Sequence, residues 1–461
     1  MMQRRNLAMH GSFVWMTAAL LSAVLLEAQD TRRVSEPKLP SVCVSLDAHL
    51  ATIAGVIAPG DETKLDTERI QQALDHCGRG RGVVLRAANG NDAFLSGPLE
   101  LREGVTLIVG KGVTLFGSRD PKIYAMAPGS CGVVNQAPPG CRPLIGASHV
   151  AGSGVMGEGT IDGRGGATLL GQNVTWWQLA EQARSGGRQQ VPRILVANYA
   201  DNFTIYRITL KNSPNFHVVY NHGDGLTVWG LKIDTPQRGA RNTDGVDPGD
   251  GARNITITHS FIRAGDDDVA LKGGQGGITN VSIVHNHFYW GHGMSIGSET
   301  FGGVSAICVE DLSLDGPDNG IRIKSNASRG GLVQDVVYDN VCIRNSPNPI
   351  FFDTGYTAAG TLEGNRFPTY KDIQLRNVRI SGGGLISFNG YAADHRIGVG
   401  LDGVTTEGSE PVTYSIRHTD FHLGPEPVNL RLEGTDVTVT GKATLGLEPG
   451  RCSEMFVPFP Q

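Results

Sequence analysis

The sequence predicts an all-β chain wound as a single-stranded parallel β-helix, a solenoid, with a helix capping its N-terminal end. Three observations carry this. An eight-residue pattern with apolar positions 1, 3 and 8, and usually 6, occurs at 203–210, 226–233, 255–262, 281–288, 307–314, 336–343 and 373–380. Apolar and polar residues alternate within it, as in strands, and the polar pair in the middle breaks the phase, so each octet reads as two short strands around a bend. The octets start 23, 29, 26, 26, 29 and 37 residues apart, the beat of a solenoid whose repeats hide their apolar faces only by stacking on neighbours. Lastly, 63 glycines suit many tight bends. A β-sandwich or propeller is the competing fold, but propeller blades recur nearer ~40–45 residues.

The elements follow in chain order. Arg4 and Arg5 precede an apolar run at 13–26, with Ala28 as a cleavage point. This has the form of a signal peptide over 1–28 and is too short for a spanning helix. The mature protein is therefore expected to be exported, secreted or periplasmic, with no membrane association once the signal is removed. A linker is expected over 29–45 and one parallel β-helix domain over 46–461, because a solenoid grows by adding coils and no later linker is visible. Asp66 is a candidate N-cap for an amphipathic helix with Ile70, Ala73, Leu74 and Cys77 on one face, which would cover the open end. Strand-like stretches at 105–115 and 154–163 would form the first coils. The segment 121–192 holds two long irregular loops, the second with Trp176-Trp177, and such loops on a rigid scaffold often shape a cleft. Packing beneath a loop is the plainer reading of the Trp pair.

Seven cysteines permit disulfides: Cys131 with Cys141 and Cys43 with Cys77 are candidates, leaving Cys308, Cys342 and Cys452. No Cys-x-x-Cys exists to suggest a zinc or redox site. Without 1–28 the chain carries 38 basic and 44 acidic residues, a formal charge of −6. That excludes a general nucleic-acid binder, and a polyanionic ligand would need a local basic patch.

Four motifs fall on successive repeats: Asn242-Thr243-Asp244-Gly245-Val246-Asp247, Gly265-Asp266-Asp267-Asp268, Gly291-His292-Gly293 and Gly320-Ile321-Arg322-Ile323-Lys324. Asp266 and His292 each lie 11 residues after their octets start, Asp244 lies 18 after and Arg322 lies 15 after. Stacking at roughly 4.8 Å per coil would make Asp244, Asp266 and His292 climb one face, with Arg322 a coil further on. Asp is disfavoured in strands, and crowded carboxylates raise one another's pKa, which suits general acid catalysis. A calcium site is the structural alternative for this cluster. Alternation puts Arg322 and Lys324 on one side of a strand, where they could clamp a carboxylate.

In this order the motifs resemble those of the polygalacturonases of glycoside hydrolase family 28, right-handed parallel β-helices. The resemblance runs from about Thr67 to Tyr356 and includes Gly159-Thr160-Ile161-Asp162-Gly163 and Asn212-Ser213-Pro214-Asn215-Phe216-His217. It implies hydrolysis of α-1,4 bonds in polygalacturonate, a pectic polysaccharide, with inversion and with no metal or cofactor. It implies Asp266 as general acid, Asp244 and Asp267 as the pair activating water, and His292 as support for the acid. Asn242, Arg322, Lys324 and Tyr356 would bind or orient substrate. The role of Asp268 is open, since many relatives have Cys there. Stacking near ~4.8 Å is closer to the carboxylate gap of retaining than of inverting glycosidases, so inversion rests on the resemblance alone. The run 291–299 resembles that of bacterial exo-acting members of the family, which implies attack from a chain end, and a monomer is expected. The other readings are a rhamnogalacturonan hydrolase, a calcium-dependent β-helix pectate lyase, and a silent adhesin or tailspike-like binding module.

Overall fold

A computed structural model describes residues 29–136, 140–357, 363–446 and 452–460; the expected signal peptide lies outside them. The chain is a right-handed parallel β-helix. Octet residues sit directly above one another: Phe203 pairs with Leu226, then Ile255, Val281, Ile307, Val336 and Ile373 in succession. Their apolar positions fill the interior. Ile205, Val228, Ile257, Ile283 and Val309 are all fully buried.

The bend in each octet is one residue in the left-handed region, always position 5: Arg207, Gly230, His259, His285, Asp311, Asn340 and Asn377, with φ between 49° and 65°. The residue before each octet is left-handed too: Asn202, Gly225, Asn254, Asn280, Ala306, Asp335 and Asp372. Only two of the fourteen are glycine; eight are Asn or Asp, whose short side chains tolerate this conformation best after glycine. In the early coils the bend splits the strand, as in Phe203–Tyr206 and Thr209–Lys211. Later strands run through it, as in Leu332–Arg344. An eighth repeat follows, with Val399, Leu401 and Val404 above Ile373, Leu375 and Val378; Gly400 and Gly403 dilute its pattern in the sequence.

The helix Thr67–His76 buries Ile70 and Leu74 over the first coil. Asp66 does not cap it through its side chain. Its carboxylate instead accepts from Leu95 N at 2.9 Å and pairs with Arg69 at 2.7 Å. Residues 29–45 are not a free linker. Ser41–Asp47 pairs with Arg81–Arg86, and the preceding stretch lies along the coils: Asp30 N donates to Ser282 Oγ, Arg32 Nη2 to the Leu226 carbonyl and Tyr206 Oη to Glu36. The C-terminal tail lies along another part of the solenoid, with Tyr289 Oη donating to the Val457 carbonyl and Arg263 stacked on Phe459. Disulfides join Cys43–Cys77, Cys131–Cys141 and Cys342–Cys452. Cys308 is buried.

The two long loops fold into one lobe beside the solenoid. Val133–Asn135 and Arg188–Gln190 pair antiparallel, and the helix Trp176–Gln182 is closed by a Thr175/Gln178 capping box. Trp176 is buried edge-on against Tyr124, and Trp177 donates to the Ser213 carbonyl. Both tryptophans therefore pack the lobe.

Candidate active site

All four motifs lie on one ladder of short strands: Val246–Gly249, Val269–Leu271, Met294–Gly297 and Asn319–Lys324. Val246, Val269, Met294 and Ile321 pair in succession and point into the core. The next row, Ala270–Ser295–Arg322, therefore faces outward, with Asp247 at its start. Two residues before Val246, Val269 and Met294 stand Asp244, Asp267 and His292. The register thus differs from the expected one: Asp267, not Asp266, is level with Asp244 and His292. Asp266 comes one residue earlier and turns to the groove, its side chain 20 % exposed against 5 % for Asp244 and 2 % for Asp267.

Asp267 is held from every side. Arg322 Nη2 bonds Oδ1, Lys324 Nζ lies 2.8 Å from Oδ2, and Ser295 Oγ donates to Oδ1 at 2.9 Å while accepting from Arg322 Nε at 3.0 Å. Lys324 also lies under the Tyr356 ring, 5.2 Å from its centre. His292 Nδ1 is 3.0 Å from Asp266 Oδ1, and its Nε2 is 3.6 Å from Asp318. Lys272 Nζ lies between Asp244 at 3.2 Å and Asp247 at 3.0 Å. Beneath this lies buried His217, one residue before Val218, which pairs with Val246; its Nδ1 donates to the Asp244 carbonyl at 2.9 Å, and its Nε2 accepts from Thr235 Oγ1 at 2.8 Å. Asn242, left-handed at φ 55°, lines the groove wall beside Arg241. Asp268 faces inward, fully buried, and accepts from Ala264 N at 3.2 Å.

Comparison with known proteins bears on the family of the chain. The family Glycosyl hydrolases family 28 matches residues 87–422. An "Endo-polygalacturonase" of Pectobacterium carotovorum subsp. carotovorum is 44 % identical over 380 residues, 82 % of this chain and 90 % of the relative. A "Polygalacturonase" of Ralstonia nicotianae is 37 % identical over 494 residues, 92 % of each. The solved polygalacturonase from Erwinia carotovora ssp. carotovora superposes with a TM-score of 0.78 at 41 % identity, over 85 % of this chain and all of that one. This chain belongs to glycosyl hydrolase family 28.

In this family 28 chain the acids divide electrostatically. Burial raises Asp244, and repulsion from Asp247 adds to it, so its pKa lies well above the carboxylate range despite Lys272. Burial pushes Asp247 up to about 6. Burial acts on Asp267 too, but Arg322 and Lys324 outweigh it and hold the group far below the ordinary range. Asp266 is also lowered, because its hydrogen bond to His292 and that ring's charge outweigh burial. Asp268, buried beside Asp267 and Asp266, is pushed well up.

Three residues of the cluster escaped the sequence reading: Asp247, Lys272 and Ser295. Asp247 is the last residue of a motif singled out for Asp244. Ser295 sits one coil before Arg322, and Lys272 sits one coil after Gly249. Aligning the motif strands row by row would have found all three. A cation has a poor claim on the Asp266, Asp267 and His292 cluster, whose donor atoms lie within 4.8 Å of one another. Both Asp267 oxygens are already bound to Arg322 and Lys324, so a metal there would face two positive charges.

Proposed function

We propose that this glycoside hydrolase cleaves α-1,4 bonds of polygalacturonate with inversion, at internal positions of the polymer, and without a metal. The observation that carries the reading is the pairing of Asp266, exposed to the groove, with Asp267, locked as an anion by Arg322 and Lys324. Asp266 is the acid that protonates the leaving oxygen, being the only one of the motif acids open enough to reach it. Its proton is not favoured in the free chain. A bound uronate supplies the missing push: its carboxylate lies near Arg322 and Lys324, offsets their charge and raises the pKa of Asp266. Asp244 and Asp267 hold the attacking water, and Lys272 opposes the rise that burial and Asp247 impose on Asp244. His292 keeps Asp266 oriented between turns of the cycle. Asn242 and Tyr356 position the sugars.

Internal cleavage is supported by the endo-acting relative at 44 % identity. The run 291–299 had suggested attack from a chain end. Here it serves the strand and its bend: Met294 and Ile296 are core, Ser295 holds Asp267, and Ser298 and Glu299 bind Arg329. Three disulfides fit an oxidising compartment, so we also propose export. No helix among the described residues is long and apolar enough to cross a membrane.

Proton NMR and chromatography of the products on polygalacturonate test the reading. Expected are β-anomers as first products, a rapid fall in viscosity, and activity indifferent to a chelator. An unsaturated, ultraviolet-absorbing product lost on chelation would replace the hydrolase with a lyase. First products of the α configuration would make the acids a retaining pair.

A further inference from the structure

Asp266 and its partner His292 stand at the ends of two short bends on adjacent coils. Tyr289 N donates to the Ile262 carbonyl at 2.9 Å and His292 N to the Asp266 carbonyl at 2.8 Å, so the coils are joined on either side of the bends. Between those bonds the chain passes through Gly265 on one coil and Gly291, at φ 112°, on the other. Glycine leaves a backbone free to move, so whatever fixes the bends must come from neighbouring side chains.

Those side chains are Arg263 and Trp290, half-buried on the outside of the solenoid. The Arg263 guanidinium lies 4.6 Å from the centre of the Trp290 ring and 3.9 Å from that of Phe459, in the C-terminal tail. Two aromatic rings thus stand against one cation, and a cation is drawn to the electron-rich face of each. Arg263 Nε is also 2.7 Å from Asp234 Oδ1, and Trp290 Nε1 donates to the Thr235 carbonyl at 2.9 Å. Asp234 and Thr235 open the segment that leads to Asp244. One cluster therefore touches the chain ahead of each of the three motifs that carry Asp244, Asp266 and His292. The tail closes it. Tyr289 stands edge-on to Phe459 at 5.3 Å and donates to the Val457 carbonyl at 3.0 Å, while the Cys342–Cys452 bridge fixes the start of the tail.

We propose that Phe459 is a positioning residue for the reaction: through Arg263 and Trp290 it holds the bend before Asp266 and the bend before His292 in mutual place, and so maintains the contact between acid and imidazole. The inference rests on the hydrolase reading given above. Asp266 is faced by His292 with Asp318 behind it, by Asp267 and Lys324, and by Asp244 and Asp247 from the preceding coil. Of these, His292 bonds its carboxylate, at 3.0 Å. Burial raises Asp266, but the His292 bond and the charge of that ring outweigh it. A slack bend weakens the bond, so the limb of the kcat/KM profile that requires Asp266 protonated moves to higher pH.

The test compares Phe459→Ala with Phe456→Ala in kinetics on polygalacturonate across pH. Phe456 makes the same kind of contact in the same tail, its ring centre 4.2 Å from the Arg344 guanidinium. Arg344, however, leads to the strand Asn348–Asp353, beyond the four motifs. Phe459→Ala should lower kcat about tenfold, less than the roughly 10²-fold that an ångström of misplacement can cost, with KM within about twofold. Its kcat/KM limb should move up by about 0.5 pH unit. Phe456→Ala should keep kcat within about twofold and the profile in place, although both variants lower the unfolding midpoint alike. Phe459→Tyr keeps the ring and should restore the parent's rate and profile. The proposal is overturned by a Phe459→Ala that matches the parent in kcat and profile, by equal losses in the two alanine variants, or by a tyrosine variant no better than alanine. A parent that never hydrolyses polygalacturonate sinks the functional reading and this inference with it. A parent that does, beside a Phe459→Ala equal to it, sinks this inference alone.

Discussion

Two rows of the same solenoid obey one stacking rule with opposite chemistry. On the octet side, Ile205, Val228, Ile257, Ile283, Val309, Tyr338 and Leu375 stand one above another, the same kind of residue each time. On the groove side, the row through Ala270 and Ser295 continues to Arg322 and then Phe351, no two alike. Neighbouring coils lie roughly 4.8 Å apart, so equal positions touch. Apolar side chains gain from touching their own kind and carboxylates lose. A row that must hold acids therefore breaks the repeat, placing a hydroxyl and then cations next to them. The repeated row is where stability resides, and the broken row is where chemistry resides.

That contrast can be tested at four points. The largest effect belongs to the broken row. Asp266→Asn should lower kcat by about 10³-fold or more and leave the unfolding midpoint within a degree or two. A variant that unfolds as readily as it loses activity would erase the distinction. In the repeated row, Ile257→Ala should cost about 2–5 kcal/mol in denaturant unfolding with KM unmoved.

Asp247 sharpens the picture through pH. Its pKa in the folded chain, about 6, lies above the 3.8 of an ordinary Asp. The folded state thus binds this proton more tightly, and the stability gained from it is full below about pH 4 and lost as pH rises through about 6. Asp247→Asn should therefore gain on the parent between those values, by at most about 3 kcal/mol, as read from unfolding midpoints against pH. Asp267 has the opposite sign. Its contribution is present above the ordinary carboxylate range and disappears on acidification. The smallest effect is expected at a bend. Asn340→Ala keeps a left-handed backbone with a less tolerant residue and removes the hydrogen bond to Asp311, for a loss of about 1–2 kcal/mol.

The octets and the four motifs were readable because in-register stacking converts linear spacing into proximity. Asp244, Asp267, His292, Arg322 and Lys324 came together for that reason. Counting from octet starts misplaced Asp266 by one residue, because the bends between strands differ in length from coil to coil. Features off the repeat were not readable. Residues 29–40 have no periodicity, and the partner of Cys342 is a tail cysteine 110 positions away. The groove wall that carries Arg184, Arg188, Arg193 and Arg241 was foreseen only as a requirement, a basic patch on an acidic chain. Its members come from loops, where spacing carries no geometric meaning. Asp268 is buried and bonded to the Ala264 N–H, a local bend contact that linear spacing does not encode.

The terminal segments bear on how the molecule comes apart. In an unadorned stack each layer grips only the next, so melting can start at an exposed end and proceed layer by layer. Here the N-terminal segment touches Ser282, Leu226 and Tyr206 in turn. The C-terminal one is stapled at Cys342 and reaches back past Tyr289 to Arg263. Both bind layers that are not adjacent, like lengthwise battens across planks. Loosening one layer then disturbs several, and the groove that depends on four consecutive layers keeps its shape until the whole stack yields.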